Sequence, residues 1–131
     1  MTEVLSRSIH AIMIEACERA IMPRYQALTA DQIVSKAADD AVTVADHEAE
    51  AILTERLAKL LPGAAIVGEE AAHADPSMLD RLSDDLCWII DPIDGTNNFA
   101  AGKPPFGVLI ALAERGETIG GWIYGPQRGR F

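Results

Sequence analysis

The 131-residue chain is poor in cysteine, with only Cys17 and Cys87, and poor in basic residues, with 11 against 20 acids. Two thiols in a chain of this size do not make a disulfide scaffold, and neither belongs to a CxxC pair or a Cys/His cluster. Cys17 falls on a helical pattern and Cys87 opens an apolar strand, so both read as small buried hydrophobes. The net charge of −9 and pI near 4.6 argue against a nucleic-acid polymer as partner, because that footprint needs clustered Lys and Arg. An acidic chain still handles phosphorylated substrates when a cation sits between its carboxylates and the phosphate. Long apolar runs are lacking as well. The N-terminal stretch is broken by Glu3, Arg7, Glu15, Glu18 and Arg19, so it has neither a signal peptide's apolar core nor a membrane span. A cytoplasmic protein with no membrane partner is expected. What is present, 49% hydrophobic and 24% charged residues without low-complexity tracts or repeats, fits a globular chain of ordinary domain length.

Leu5, Ile9, Ile12, Met13, Ala16 and Ala20 recur at helical spacing and predict an amphipathic helix that Pro23 closes or kinks. Asp31 to Asp40 reads as turn-like, and Asp40-Ala-Val-Thr-Val44 as a short extended piece. A second helix is expected from Asp46, in an N-cap role, with Ala49, Ile52, Leu53, Leu57, Leu60 and Leu61 on its buried face and Pro62-Gly63 as its stop. Its acids Glu48, Glu50 and Glu55 read as a solvated face balanced by Arg56 and Lys59. Ala64 to Gly68 and Leu86 to Ile90 are apolar strand candidates, and Asp75-Pro-Ser77 caps a short helix ending near Leu82. Gly107 to Ala113 and Thr118 to Tyr124 read as strands joined by a turn at Glu114-Arg-Gly-Glu117. Helices first and mixed strands after indicate an α+β or layered α/β architecture: two N-terminal helices packed on a mixed, mainly antiparallel sheet.

Three carboxylates each follow an apolar stretch: Asp46 after Val-Thr-Val-Ala, Glu69 after Ala-Ile-Val-Gly, and Asp91 after Trp-Ile-Ile. Singly, each also fits a helix cap or a strand-ending turn. Together, at the ends of strands, they would crowd negative charge into one pocket, which divalent cations neutralise. In Asp91-Pro-Ile-Asp-Gly-Thr-Asn-Asn-Phe99, two aspartates lie three residues apart around a stiff proline. Gly95 then permits a tight turn that exposes the amides of Gly95, Thr96 and Asn97, an anion site if a helix begins there. The Thr96 hydroxyl is placed to orient a water. Oxygen ligands in this pattern suit Mg²⁺.

The segment Trp88-Ile-Ile-Asp-Pro-Ile-Asp-Gly-Thr-Asn-Asn-Phe99 resembles the signature of the inositol monophosphatase family of Mg²⁺-dependent, lithium-sensitive phosphatases. The resemblance extends back through Ile66-Val-Gly-Glu-Glu70, Val42-Thr-Val-Ala-Asp46 and Lys36. It runs forward through Phe106-Gly-Val-Leu-Ile-Ala-Leu112 and Gly121-Trp-Ile-Tyr-Gly-Pro126, so it covers almost the whole chain in order and spacing. It implies the first half of an α-β-α-β-α sandwich, and two or three Mg²⁺ ions. Glu69, Asp91 and the Ile93 carbonyl would hold the first; Asp91 would bridge to a second that also takes Asp94; Glu69 would reach a third through water. Asp46 and Thr96, with Glu69, would form the catalytic set that activates water, without a covalent intermediate. Asp94, Gly95, Thr96 and Asn97 would surround the substrate phosphate, with Lys36 and Glu70 at the site edge. Glu70 fits an exposed acid equally well. His47 reads as a surface residue, Asn97 and Asn98 carry no assigned side-chain role, and Trp88 and Trp122 read as strand core.

By this resemblance the expected activity is hydrolysis of a small phosphate monoester: inositol phosphate, fructose bisphosphate, histidinol phosphate or a 3′-phosphoadenosine nucleotide. A homodimer is expected. The family continues past the position of Pro126 into a second domain, whose Trp-Asp segment completes the second metal site, and no such segment follows Asp94 here. Residues 1–131 are therefore expected to be the N-terminal domain alone. The competing expectation is a catalytically incomplete piece serving as a metal- or phosphate-binding or interaction module.

Overall fold

The computed structural model of the chain describes residues 3–37 and 40–126, without the side chains of residues 35–37, 40 and 41. Helix α1 (Glu3–Ala16) runs into a wider turn at Cys17–Ile21 and ends in a short tight turn at Met22–Arg24, where Pro23 removes the next donor. Strands β1 (Ile33–Ala37) and β2 (Asp40–Thr43) form an antiparallel hairpin, pairing Ile33 with Thr43 and Val34 with Val42. The Asp31–Asp40 stretch is thus not all turn. Its strand is written in Ile33-Val34, a β-branched pair too short to stand out among polar neighbours. Helix α2 (Val44–Leu60) follows β2 directly. The rest is β3 (Ala65–Gly68), α3 (Glu69–Ala74), a 3₁₀ segment at Pro76–Ser83, β4 (Leu86–Asp94), α4 (Thr96–Ala100), β5 (Gly107–Glu114) and β6 (Glu117–Tyr124).

The main sheet has the order β3-β4-β5-β6, with β3 and β4 parallel and the other pairs antiparallel. This is the expected mixed, mainly antiparallel sheet with two helices packed on it. The β5–β6 turn has Arg115 at φ 50° and Gly116 at φ 86°, the left-handed pair that a two-residue hairpin matching the sheet twist requires.

One face of the sheet carries Trp88, Ile90, Val108, Ile110, Leu112 and Trp122, all buried. Ile9, Met13 and Ala16 of α1 and Ala45, Ala49, Leu53 and Leu57 of α2 pack with them into a single core. Removing each of the larger of these side chains from water contributes about 1.5–3 kcal/mol. The Trp122 indole donates to Ser6 Oγ at 3.1 Å, tying β6 to α1. Cys17 and Cys87 are free and buried, and burial beside Glu18 pushes the Cys17 thiol up to about 12, which keeps it inert. No helix among the described residues is long and apolar enough to cross a membrane.

The opposite face is half open. Leu109, Ala111 and Ile123 line a cleft with Val67, Leu79 and Ile89, and Ile123 is 61% exposed.

Helices α1 and α2 are also joined by charge. Glu15 accepts from Arg56 at 2.9 and 3.0 Å and from Arg19 at 2.8 Å. Hydrogen bonds from Arg56 first, then Arg19, hold the Glu15 carboxyl down at about 2, against its ordinary 4.5. A carboxyl depressed on folding stabilises the fold above its unfolded value, and that contribution is lost as pH falls through its folded value. In thermal melts, wild type is therefore expected to exceed Glu15→Gln near neutral pH. The difference should shrink from about pH 4.5 and be gone by about pH 2; a difference constant across that window would contradict the pairing.

Candidate functional site

The parallel register of β3 and β4 pairs Gly68 with Ile90, so Glu69 and Asp91 leave adjacent strands side by side. Parallel neighbours lie about 4.8 Å apart, so the two carboxyls meet. Past Asp91 the β4–β5 pairing slips before resuming at Asp94 with Gly107, and this irregularity turns Asp94 toward solvent while Pro92 and Ile93 are buried. Gly95 then adopts φ 86°, ψ 36° and starts α4. Only glycine fits: the conformation is left-handed, and a Cβ here would sit 2.8 Å from the Pro105 carbonyl oxygen. Asn98 Nδ2 donates to the same oxygen at 3.0 Å, while Phe99 packs edge-on to Phe106 and stacks on Tyr25. These contacts fix α4 and thereby Thr96.

Glu69, Asp91, Ile93, Asp94, Gly95, Thr96, Asn97 and Asn98 line one cleft of 440 Å³. Its electrostatics centre on Asp91. Burial, a hydrogen bond with Glu69, and the negative charges of Glu69, Asp94 and Asp46 push the Asp91 carboxyl up to about 8. Its Oδ1 atom is buried without a hydrogen-bond partner. A buried oxygen so placed costs about 1–3 kcal/mol unless something fills it. The four carboxylates that the sequence singles out therefore do act on one another.

Asp46 stands on the other wall. It is 1% exposed and is not the N-cap of α2. That role belongs to Thr43, whose Oγ1 accepts from the Ala45 amide at 3.1 Å. Asp46 is the third helical residue and closes a reciprocal cap, its Oδ2 accepting from Thr43 N and Thr43 Oγ1, both at 2.8 Å. Its other oxygen, Oδ1, lies 2.8 Å from Thr96 Oγ1, which is also 2.9 Å from the Ile93 carbonyl oxygen. The hydroxyl has one proton for these two acceptors. Given to Asp46, it leaves the Ile93 oxygen available to another partner and leaves the lone pairs of Thr96 available to a water.

Glu50 departs from its expected place on a solvated face. It is 8% exposed and accepts from the backbone N–H groups of Glu70 and Ala71 at 2.8 and 2.9 Å. Its spacing holds the missed signal: Asp46, Glu50, Leu53 and Leu57 follow one stripe of α2, so the apolar periodicity already turns Glu50 inward. Glu48 and Glu55 do reach solvent, pairing with Arg24 and Lys59. Glu70 is buried at 6% exposure, on α3 beside Glu69, which removes its reading as an exposed acid. His47 is exposed as expected, and the side chain of Lys36 lies outside those described.

The carboxylates of Glu69, Asp91 and Asp94 bring oxygen donors to the cleft, the kind that hard cations take, and Asp91 Oδ1 is an oxygen without a partner. Among the described residues, no three His, Cys, Asp or Glu side chains stand in a ready-made metal cage. Glu69 and Asp91 are drawn together by a hydrogen bond between their side chains. The donors fit a divalent ion.

The class is thus an α+β protein with an acidic, oxygen-lined cleft at the ends of parallel strands. The sequence profile of the inositol monophosphatase family matches residues 2–131, and the chain belongs to that family. It is 40% identical over 118 residues to the inositol-1-monophosphatase of Caulobacter vibrioides, covering 87% of this chain and 44% of that protein. It is 33% identical over 120 residues to the Nus factor SuhB of Escherichia coli K12, covering 89% and 43%. The solved structure of a Thermotoga maritima IMPase superposes with a TM-score of 0.80 at 29% identity, over 98% of this chain and 46% of that one. The chain spans less than half the length of these relatives.

The Thr96 hydroxyl satisfies a buried carboxylate, so Thr96→Val should lower unfolding stability in urea by about 1–3 kcal/mol. Thr96→Ser, which keeps the hydroxyl, should lose clearly less than Thr96→Val. Equal losses in the two variants would deny the hydroxyl this role.

Proposed function

We propose that this chain carries the N-terminal part of the machinery of a Mg²⁺-dependent phosphomonoesterase acting on a small inositol-phosphate-like ester. The observation that supports it most is the crowding at Asp91: a carboxyl pushed up to about 8 by burial and by Glu69, Asp94 and Asp46, with one buried oxygen unpaired. Glu69, Asp91 and the Ile93 carbonyl would hold a first Mg²⁺, Asp91 and Asp94 a second, and Glu69 a third through water. Bound there, Mg²⁺ would supply charge neutralisation and a more acidic water. Thr96 Oγ1 accepts a hydrogen bond from the attacking water and orients it; as the water's proton passes to Thr96, the Thr96 proton passes to Asp46 Oδ1. Asp46 receives it while Thr43 holds its other oxygen still. The backbone at Gly95, Thr96 and Asn97 would meet the phosphate oxygens, with Asp94 beside it and with Glu70, on α3, and Lys36 at the site edge. No side chain forms a covalent intermediate; the residues align and neutralise, which is what phosphoryl transfer chiefly requires.

The substrate class follows the names of relatives such as the Caulobacter vibrioides inositol-1-monophosphatase. The chain contains 44% of that protein's length, so activity belongs to the completed protein, as does the expected homodimer. The half-open face around Leu109, Ala111 and Ile123 would receive the polypeptide of that second half. Phosphate release from inositol phosphate, fructose bisphosphate, histidinol phosphate and 3′-phosphoadenosine nucleotides tests this. Mg²⁺-dependent turnover is expected from the completed protein and little or none from residues 1–131. No turnover by the completed protein would favour the alternative, an incomplete metal- or phosphate-binding or interaction module.

Asp91 supplies a test on the chain itself. A carboxyl raised on folding stabilises the fold fully below its unfolded value, and the contribution is lost as pH climbs to its folded value. Without divalent cations, wild-type stability should therefore fall between about pH 4 and about pH 8. Asp91→Asn should lack that component of the fall and melt higher than wild type at pH 8. Added Mg²⁺ should raise the wild-type Tm and leave Asp91→Asn unmoved; an equal rise in both would count against the site.

A further inference from the structure

Helix α3 begins at Glu69 with Gly68 as its N-cap, and glycine has no side chain with which to cap it. The first N–H groups of a helix lack intrahelical acceptors, yet here two of them, on Glu70 and Ala71, donate to separate oxygens of Glu50. The acceptor comes from α2, 20 residues earlier in the chain than Glu70. Gly68 makes the contact possible: a Cβ there would lie 2.3 Å from Glu50 Cδ and 2.6 Å from each carboxylate oxygen. The backbone of Gly68, at φ −93° and ψ 148°, is open to any residue, so the glycine answers to the carboxylate and not to strain. Glu50 and Gly68 are a matched pair.

Glu50 also sits one helical turn after Asp46, on the same buried stripe of α2. Asp46 holds the Thr96 side of the cleft, and Glu50 holds the Glu69 side. A helix is stiff along its axis, so the spacing between these two anchors, about 6 Å for four residues, is passed to the two walls.

We propose that Glu50 is a positioning residue for the cation site: through the Glu70 and Ala71 N–H groups it fixes the first turn of α3 and aims Glu69 at Asp91. This rests on the proposed metal reading of Glu69 and Asp91. Without Glu50 the turn starts uncapped, and the Glu69 carboxylate loses its fixed approach. Neutral Gln cannot replace it, because only one of its two terminal atoms accepts.

The test uses Mn²⁺ as a spectroscopic stand-in for Mg²⁺, titrated into the 131-residue chain by electron paramagnetic resonance, at a temperature where every variant used is folded. Glu50→Gln is expected to weaken Mn²⁺ binding about tenfold or more, as loss of a residue that orients a ligand does. Gly68→Ala, which presses on Glu50 from the other side, should do the same and decides the matter alone if Glu50→Gln does not fold. Ile52→Val, a core change on the same helix, should leave affinity within about twofold. In metal-free samples the Glu69 carboxyl ¹³C shift should move in the first two variants and not in the third. Glu50→Gln and Gly68→Ala binding like wild type, while Asp91→Asn binds weakly, would overturn this inference alone. Wild type binding no more tightly than Asp91→Asn would overturn the metal reading and this inference with it.

Discussion

Two carboxyls are delivered to the same place by the parallel pairing of Gly68 with Ile90, and the rest of the site accommodates that placement. Like charges at the ends of neighbouring strands repel, and in a half-buried cleft the repulsion is felt more strongly than in water. Burial and these neighbouring charges push the Asp91 carboxyl up to about 8, and its Oδ1 is left without a hydrogen-bond partner. A fold seeking stability alone would have no use for this arrangement. Perturbed carboxyls of this kind cluster at functional sites, and a divalent cation is a partner whose charge and donor preference match.

Helix α2 supplies the second constraint. Its buried stripe packs Ala49, Leu53 and Leu57 into the core and offers Asp46 and Glu50 to opposite walls of the cleft. Apolar burial thereby anchors the polar groups: the helix cannot shift without disturbing both the core and the two carboxylates. The α4 wall is braced separately, by the Tyr25, Phe99 and Phe106 rings and by Asn98 on the Pro105 carbonyl. Reacting groups held by packed elements keep their geometry better than groups left on loops.

The sequence made the helices, the β5–β6 hairpin and the acidic strand ends legible because each has a strong local signal: period, turn chemistry, or charge after an apolar run. The pairing of β3 with β4 was not legible in detail, since it depends on a contact across the intervening 3₁₀ segment. Thr43 does not stand out as the cap in sequence because Asp46, three residues on, carries equally good capping chemistry; the reciprocal cap uses both. By residue type Glu50 reads as solvated, although its position on the stripe points inward. Burial of a charge is decided by the partner it meets, and those partners, two backbone amides of α3, are invisible to local pattern. The half-open outer face likewise escapes local reading, because Ile89, Leu109 and Ile123 look like any strand core in sequence.

Membership in the inositol monophosphatase family and the carboxylate geometry support the same account, one through shared sequence and the other through charge placed against charge. Its central claim is that Glu69 and Asp91 enclose a cation. The most direct measurement is an anomalous-difference map from crystals of the chain grown with Mn²⁺. The account predicts a peak bridging Glu69 and Asp91, beside the Ile93 carbonyl, with the two carboxylates turned toward it. A map with no peak there, and the carboxylates still facing each other at saturating Mn²⁺, would contradict it.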